Sequence, residues 1–175
     1  MKVIVLSGSP RKDGNTQIVM KHVLDYVNNK DVEVKFINLA DDEYEMYRGF
    51  PGAVNYNEKT LQAAKDITEA DVWLVGIPVY NSMFSAALKN IFEFVSYKET
   101  EGKVAGLALI AGGMISFGDV QTLFTQLMSY FRFITNPTAV YTPAENIEDG
   151  KITSDDVKSR LNEMVDKTLE LAKRN

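Results

Sequence analysis

The feature that most constrains this chain is an unbroken apolar segment, VWLVGI, at residues 72–77. A strand with one face in water alternates apolar and polar residues, whereas a strand that is apolar throughout is covered on both faces. Both faces of a sheet are covered most simply when helices connect parallel strands. The segment therefore predicts an interior strand of a parallel sheet that is packed between two layers of helices.

The rest of the chain repeats this pattern, with short apolar strands that alternate with amphipathic helices. Five strand–helix units predict an α/β fold with three layers, doubly wound around a five-stranded parallel sheet. With the strand order 2-1-3-4-5, the segments after strands 1, 3 and 4 meet at one crevice, where such folds bind ligands. The predicted strands are residues 2–6, 32–38, 72–77, 104–111 and 134–141, the last interrupted or ended by Pro137, and the predicted helices are residues 15–29, 58–70, 85–97, 118–131 and 154–173.

Composition excludes several classes of function. The net charge of -5 offers no general attraction to nucleic acid or to an anionic membrane, so we expect neither as a partner. The absence of cysteine excludes disulfides, thiol nucleophiles and thiolate-bound iron–sulfur clusters. The sequence shows neither a signal-peptide pattern nor an apolar run of about 18 residues, so the expected location is the cytoplasm. We expect residues 1–175 to form one domain.

The loop SGSPRKDGNT, at residues 7–16, follows the first predicted strand and leads into a helix. The first turn of a helix offers unpaired amides and the positive end of the helix dipole to an anion. The loop has no Gly-Lys-Ser/Thr ending and no G-x-G-x-x-G pattern, which favours a terminal monophosphate over a triphosphate or dinucleotide. The groups predicted to hold it are the hydroxyls of Ser7, Ser9 and Thr16, the guanidinium of Arg11, and the backbone freed at Gly8 and Gly14.

Two further loops are predicted to border the same crevice. Pro78 is expected to end the third strand, and residues 79–82 then supply amides, an amide side chain and a hydroxyl. Polar groups beside Tyr80, Met83 and Phe84 suit the edge and faces of a planar heterocycle, although each of these three side chains fits a core or interface position equally well. In the third loop, Gly112 and Gly113 either let the backbone approach a ligand closely or only form a turn.

These residues resemble the motifs of the NADPH-dependent FMN reductase family, which are flavodoxin-like flavoproteins that include quinone and azo-dye reductases. The segment GSPRKDGNT at residues 8–16 is similar to the family's phosphate loop. Pro78-x-Tyr80 with Leu88-Lys89-Asn90 is similar to its second motif, and Ala111-Gly112-Gly113 to its third.

The resemblance implies a flavodoxin-like fold with a bound FMN. It places the FMN phosphate at the first loop and the edge of the isoalloxazine at residues 78–82. The paired glycines, Gly112 and Gly113, then flank the ring. The implied cofactor-binding residues are Ser9, Pro10, Arg11, Asn15, Thr16, Pro78, Val79, Tyr80, Asn81, Ser82, Gly112 and Gly113.

The resulting hypothesis is an FMN-dependent oxidoreductase that takes hydride from NADPH or NADH and reduces a small acceptor, namely free flavin, a quinone, an azo compound or a metal ion. No side chain is predicted to be catalytic and no metal is predicted, because the cofactor carries the chemistry. Two alternatives stay open, a flavodoxin-type electron carrier without NAD(P)H turnover and a flavin-binding module without any turnover. The sequence does not distinguish NADH from NADPH.

Three remaining features lead to weaker predictions. The aromatic residues of segment 39–58 either cap the flavin site, pack on a second subunit or simply pack locally. His22, the only histidine, lies beside the apolar stripe of the first helix and is predicted to be structural, and the run Asp41-Asp42-Glu43 is predicted to be solvated. A surplus of apolar side chains on the third and fourth helices predicts a homodimer or a dimer of dimers; it consists of Phe94, Tyr97, Tyr130 and Phe133.

Overall fold

The computed structural model describes residues 1–41 and 43–175, so the predicted solvation of Asp42 lies outside the described residues. The strands are β1 (Lys2–Ser7), β2 (Glu33–Asn38), β3 (Val72–Tyr80), β4 (Met83–Phe84), β5 (Val104–Ala111), β6 (Ile134–Thr135), β7 (Val140–Pro143), β8 (Ile147–Glu148) and β9 (Lys151–Ile152). The helices are α1 (Asn15–Val27), α2 (Glu58–Glu69), α3 (Ala86–Glu93), α4 (Phe117–Tyr130) and α5 (Asp155–Arg174).

The sheet has the order β2-β1-β3-β5-β6, and β7 pairs with β5 beyond the end of β6. All of these pairs are parallel. When β6 and β7 are counted as one interrupted fifth strand, this is the predicted order 2-1-3-4-5, and the interruption contains Pro137 as predicted. Because β1 and β3 are neighbours at the point where the order reverses, the crevice lies beyond their carboxyl ends.

Helices cover both faces of the sheet. The side chains of Val3, Val5 and Leu74 point to a buried cluster shared with α1 and α5. The alternate residues, such as Ile4 and Trp73, point to a second cluster shared with α2, α3 and α4. In the part of the chain that is described, no helix combines the length and the apolar character needed to span a bilayer.

The prediction that Pro78 ends its strand is wrong. β3 continues to Tyr80, and Pro78 pairs with Ile110 of β5. The carbonyl of Gly76 accepts a hydrogen bond from the amide of Gly8, on the side of β1. Since strand residues two apart face the same way, the missing N–H of Pro78 faces the region beyond the end of β1, where it interrupts no ladder.

Beyond Tyr80 the chain reverses and forms a short hairpin with β4. Its two turn residues, Asn81 and Ser82, have φ angles of 50° and 61°. Positive φ at both central positions is the geometry that matches a two-residue turn to the twist of its strands. The hairpin therefore holds Tyr80 at the rim of the crevice.

Two helices are shorter than predicted by two residues or more. α1 ends at Val27, and α3 ends at Glu93, where the amide of Phe94 bonds to the carbonyl of Ile91 three residues back. Such a tightened last turn commonly ends a helix. The predicted continuation of α3 is a separate short 3-10 turn at Tyr97–Glu99.

Candidate functional site

A cleft of about 590 Å³ opens at the carboxyl ends of β1, β3 and β5. Three segments line it, as the sequence predicted: the loop between β1 and α1, the end of β3 with its turn, and the end of β5. The predicted site residues that line it are Ser9, Arg11, Asn15, Thr16, Pro78, Val79, Tyr80, Asn81 and Gly112.

Three predicted residues, Pro10, Ser82 and Gly113, are not in the lining of the cleft. The hydroxyl of Ser82 instead lies 2.7 Å from the hydroxyl of Ser116, which joins the β3–β4 turn to the loop before α4. Gly14, Ile110 and Ala111 complete the lining. Ile110 and Ala111 are apolar residues at the end of a buried strand, so the chemistry of their side chains did not identify them as lining residues in the sequence.

The β1–α1 loop brings the positive end of a helix to this cleft. Gly14 precedes α1 in an extended conformation, and no side chain caps the helix among the described residues. The amides of Gln17 and Ile18 bond to the carbonyl of Gly14, which starts the helical ladder. Asn15 and Thr16 therefore lie in the cleft wall in the first turn, where helices bind anions.

Three side chains meet at this end of the cleft. The hydroxyl oxygens of Ser9 and Tyr80 are 2.7 Å apart, and the amide of Arg11 donates to the Ser9 hydroxyl over 3.2 Å. The guanidinium carbon of Arg11 lies 4.8 Å from the centre of the Tyr80 ring. A cation, a buried hydroxyl and a helix N-terminus thus face the same space, which suits an anionic group.

Two residues of the loop do not act as predicted. Gly8 was expected to aim its amide inward, but this amide bonds to the Gly76 carbonyl at 3.0 Å and extends the sheet. A Cβ at Gly8 would lie 2.4 Å from the Leu88 side chain and 2.6 Å from the Gly76 oxygen, so the glycine is required by packing. Ser7 is fully buried as the last residue of β1, which extends one residue further than predicted, and its hydroxyl has no hydrogen-bond partner among the described residues.

The paired glycines leave open space on the opposite wall. Apart from its neighbours in the chain, neither Gly112 nor Gly113 has a described atom within 4 Å of the position that a Cβ would take, and neither has a positive φ. Packing and backbone strain therefore do not explain the missing side chains. At Gly112 the open space belongs to the cleft. A flat group can approach the backbone there, which fits the planar ring of FMN.

The aromatic segment after β2 packs locally and not over the cleft. The Tyr47 ring stacks on Tyr56 with centroids 6.4 Å apart, and both contact Phe94 at the end of α3. The side chain of Asn90 fixes this segment, because it accepts from the Tyr47 amide at 2.8 Å and donates to the Glu45 carbonyl at 2.9 Å. These contacts support the prediction of local packing.

The apolar surplus on the third and fourth helices is smaller than predicted. Phe133 is buried in the core cluster that contains Trp73, and the centres of these two rings are 4.1 Å apart. Tyr97 packs beside Tyr130 at 5.5 Å. Tyr130 nevertheless remains 62% exposed.

The single histidine lies away from the cleft. Its Nε2 atom is 3.0 Å from the side-chain oxygen of Asn162, so His22 links α1 to α5. This contact supports the predicted structural role. No histidine is in a position to transfer a proton within the cleft, because the chain contains only this one.

Comparison with known proteins places this geometry in a family. Residues 1–146 match the family described as NADPH-dependent FMN reductase. The chain is 28% identical to an NADPH azoreductase of Bacillus sp. (strain OY1-2) over 171 residues, which cover 94% of this chain and 89% of the relative. It is 30% identical over 141 residues to an iron–sulfur flavoprotein of Methanocaldococcus jannaschii, covering 75% of this chain and 72% of the relative.

Solved structures show the same fold. A crystal structure of an NADH:FMN oxidoreductase superposes with a TM-score of 0.80 at 18% identity, covering 99% of this chain and 89% of the other. This similarity extends the shared architecture to almost the whole chain.

The iron–sulfur flavoprotein of Methanocaldococcus jannaschii differs from this chain in one respect. The absence of cysteine in this sequence leaves no thiolate for an iron–sulfur cluster.

Proposed function

Since the chain belongs to the NADPH-dependent FMN reductase family, it is an FMN-dependent NAD(P)H oxidoreductase, and we propose that the cleft is its FMN site. The observation that carries this proposal is the meeting of Arg11, Ser9 and the uncapped start of α1 at one end of the cleft. These groups suit a monophosphate, and the open wall at Gly112 suits a planar ring.

Each of the three segments has its own part in binding. The β1–α1 loop holds the phosphate through Ser9, Arg11, Asn15 and Thr16. Residues 78–82 present the polar edge of the β3–β4 hairpin to the ring. Gly112 leaves room beside the ring, whereas Pro10, Ser82 and Gly113 are exposed residues next to the lining in the chain.

The chain's residues bind and orient the cofactor and do not transfer protons themselves. Bound FMN would supply the redox chemistry, namely acceptance of a hydride from a reduced nicotinamide and transfer of electrons to an acceptor. Ser9, Tyr80 and Arg11 fix one end of the cofactor, while the backbone at Gly112 keeps one side accessible. We propose no acidic or basic side chain at the ring, because Arg11, the charged residue of the lining, is assigned to the phosphate.

We propose a small, planar acceptor such as an azo compound, a quinone or free flavin. The support is the open side of the cleft and the similarity to an azoreductase.

We further propose that the protein acts in the cytoplasm as a homodimer or a dimer of dimers. Exposed apolar side chains at Phe50 and Tyr130 support the second statement, and light scattering that shows an active monomer at micromolar concentration would contradict it.

The test begins with a titration of the purified protein with FMN, followed by oxidation of NADPH and NADH in the presence of an azo dye. We expect saturable FMN binding and turnover that depends on added FMN. Binding without turnover would indicate an electron carrier or a non-catalytic module, and absence of binding would overturn the assigned site.

A matched pair of variants tests the position of the ring. Gly112→Leu places a side chain inside the cleft, whereas Gly113→Leu changes the next residue, which is not in the lining. We expect Gly112→Leu to reduce FMN affinity at least tenfold and Gly113→Leu to change it less than threefold. Equal effects at the two positions would place the ring elsewhere.

A further inference from the structure

We infer that Tyr80 organises the phosphate end of the cleft, by orienting the Ser9 hydroxyl and supporting the Arg11 guanidinium. The inference rests on the proposed FMN site. The sequence motif groups Tyr80 with the residues at the edge of the ring. The side chain of Tyr80 instead contacts two residues of the loop that follows β1, namely Ser9 and Arg11.

Tyr80 is held in a defined place. It is the last residue of β3, it pairs with Met83 of β4, and the turn that follows has left-handed backbone at both positions. Ser9 is only 2% exposed. The hydrogen bond between the two hydroxyls therefore connects two residues that the fold itself positions, 71 residues apart in the chain.

The first role of Tyr80, the orientation of Ser9, follows from the hydrogen bonds that the Ser9 hydroxyl can make. A serine hydroxyl has one hydrogen to donate and two lone pairs to accept with. One lone pair accepts from the Arg11 amide. If the Tyr80 phenol donates to the other, the single Ser9 hydrogen is left for a ligand oxygen. Because phenol is a better hydrogen-bond donor than an alkyl alcohol, Tyr80 orients Ser9 as a donor toward a phosphate.

The second role concerns Arg11. Its guanidinium lies 4.8 Å from the ring centre of Tyr80, within the distance at which a cation is attracted to an aromatic face. Arg11 forms no ion pair with any carboxylate in residues 1–41 or 43–175. The ring thus holds an exposed cation at the cleft without neutralising its charge, so the charge remains available to an anion.

Both roles act on the phosphate and not on the ring of the ligand. Tyr80 should therefore determine how strongly the site prefers FMN over riboflavin, which differ only in the phosphate. Removal of the hydroxyl should affect the orientation of Ser9 alone. Removal of the whole ring should also release Arg11.

The experiment compares Tyr80→Phe and Tyr80→Leu with the unchanged protein, using dissociation constants for FMN and riboflavin from flavin fluorescence. We expect Tyr80→Phe to weaken FMN about fivefold and Tyr80→Leu about fifteenfold, with riboflavin within twofold in both. Tyr26→Phe is the matched control, because it removes a phenol hydroxyl that bonds to Asp166, away from the cleft. Circular dichroism establishes that each variant is folded.

A second measurement tests the link to Arg11. In the double variant Arg11→Ala with Tyr80→Leu, the loss of FMN affinity should be smaller than the product of the single losses, since the ring acts partly through the cation. Inorganic phosphate should compete with FMN, and more weakly so in Tyr80→Phe.

Three results would overturn the inference. These are equal losses for FMN and riboflavin in Tyr80→Phe, unchanged FMN affinity in Tyr80→Leu, and independent effects in the double variant. In each of them the unchanged protein still binds FMN, so the proposed site remains. If the unchanged protein bound neither flavin, the proposed site itself would fail and the inference with it.

Discussion

The two edges of the parallel sheet are built in different ways. At the amino edge, where the parallel strands begin, contacts of polar and charged side chains connect neighbouring segments. Lys2 forms an ion pair with Glu69 at 3.2 Å, and the amide of Lys2 donates to Asp71 at 2.8 Å. The ammonium group of Lys103 bonds to the Thr68 carbonyl, and Arg132 pairs with Glu101.

At the carboxyl edge, the loops carry backbone strain and open groups instead. Asp13, Asn81, Ser82 and Ser116 all have positive φ angles, between 50° and 68°, whereas the amino edge has one such described residue, Arg132, at 59°. Such conformations cost non-glycine residues roughly 1 kcal/mol or more, and they persist where the surrounding structure enforces them. The difference teaches that side-chain contacts join neighbouring segments at the amino edge, whereas more of the strained backbone lies in the loops of the carboxyl edge, beside the cleft.

The strongest test of this contrast is Trp73→Ala in the amino half of β3. Trp73 is fully buried and stacks on Phe92 with centroids 5.2 Å apart. Removal of a large buried aromatic side chain should lower the free energy of unfolding by about 3 to 5 kcal/mol. Urea unfolding without FMN measures this loss, while the FMN affinity of the folded variant should change less than twofold. A tenfold loss of affinity in folded Trp73→Ala protein would show that the two edges are coupled.

The opposite test is Arg11→Ala at the carboxyl edge. A charge-assisted hydrogen bond to phosphate is worth roughly 1.5 to 3 kcal/mol, so FMN should bind about 10- to 150-fold more weakly. Riboflavin affinity should stay constant, and the free energy of unfolding should stay within about 0.5 kcal/mol.

Lys12→Ala controls for the loss of one charge, since Lys12 belongs to the same loop but not to the lining of the cleft. We expect it to weaken FMN less than threefold. If Arg11→Ala lost affinity for FMN and riboflavin equally, Arg11 would not be a phosphate ligand.

A smaller effect is expected for ionisable residues outside the cleft. His22→Ala, Asp41→Ala and Glu43→Ala should each leave the rate of flavin reduction by NAD(P)H within about threefold, or under roughly 1 kcal/mol of barrier. Rapid-reaction absorbance of the fully FMN-loaded variants separates lost cofactor from slower reduction. A hundredfold slower reduction in folded, loaded His22→Ala would show that this distant residue takes part in the chemistry.

The smallest expected effect concerns Asp166, which joins α5 to α1 through Lys30 and Tyr26. Partial burial raises the pKa of Asp166, but hydrogen bonds from Lys30 and Tyr26 together outweigh burial, so the pKa lies below the ordinary value of 3.8. The stabilisation is therefore complete above pH 3.8 and is lost as the pH falls through the lower, folded-state value.

Because the Asp166 side chain is 50% exposed, Asp166→Asn should lower the free energy of unfolding by only about 0.5 kcal/mol at pH 7. The difference from the unchanged protein should shrink as the pH falls below 3.8. Urea unfolding at pH 7 and near pH 3 measures both values. A difference that grows on acidification would contradict the lowered pKa.

The architecture and most of the residues that line the cleft were predicted from the sequence. The apolar run at residues 72–77 predicted the interior strand, and the alternation of strands and helices predicted a parallel, doubly wound sheet, for which the order 2-1-3-4-5 is that of flavodoxin. Strand bounds were predicted well where apolar residues ended abruptly, as at Val104 and Ala111. Helix ends were predicted less well, because the end of α3 depends on one tightened turn and not on periodicity.

What the sequence by itself determined is the parallel fold and the convergence of three loops, because periodicity is local and the handedness of crossovers is general. Only the tertiary structure decided the rest, because it depends on contacts between distant residues. Leu88 and the Gly76 carbonyl require a glycine at position 8, and Trp73 buries Phe133. Tyr80 meets the hydroxyl of Ser9 and the cation of Arg11 at one end of the cleft, and no local pattern contains this contact because Ser9 and Tyr80 are 71 residues apart in the chain.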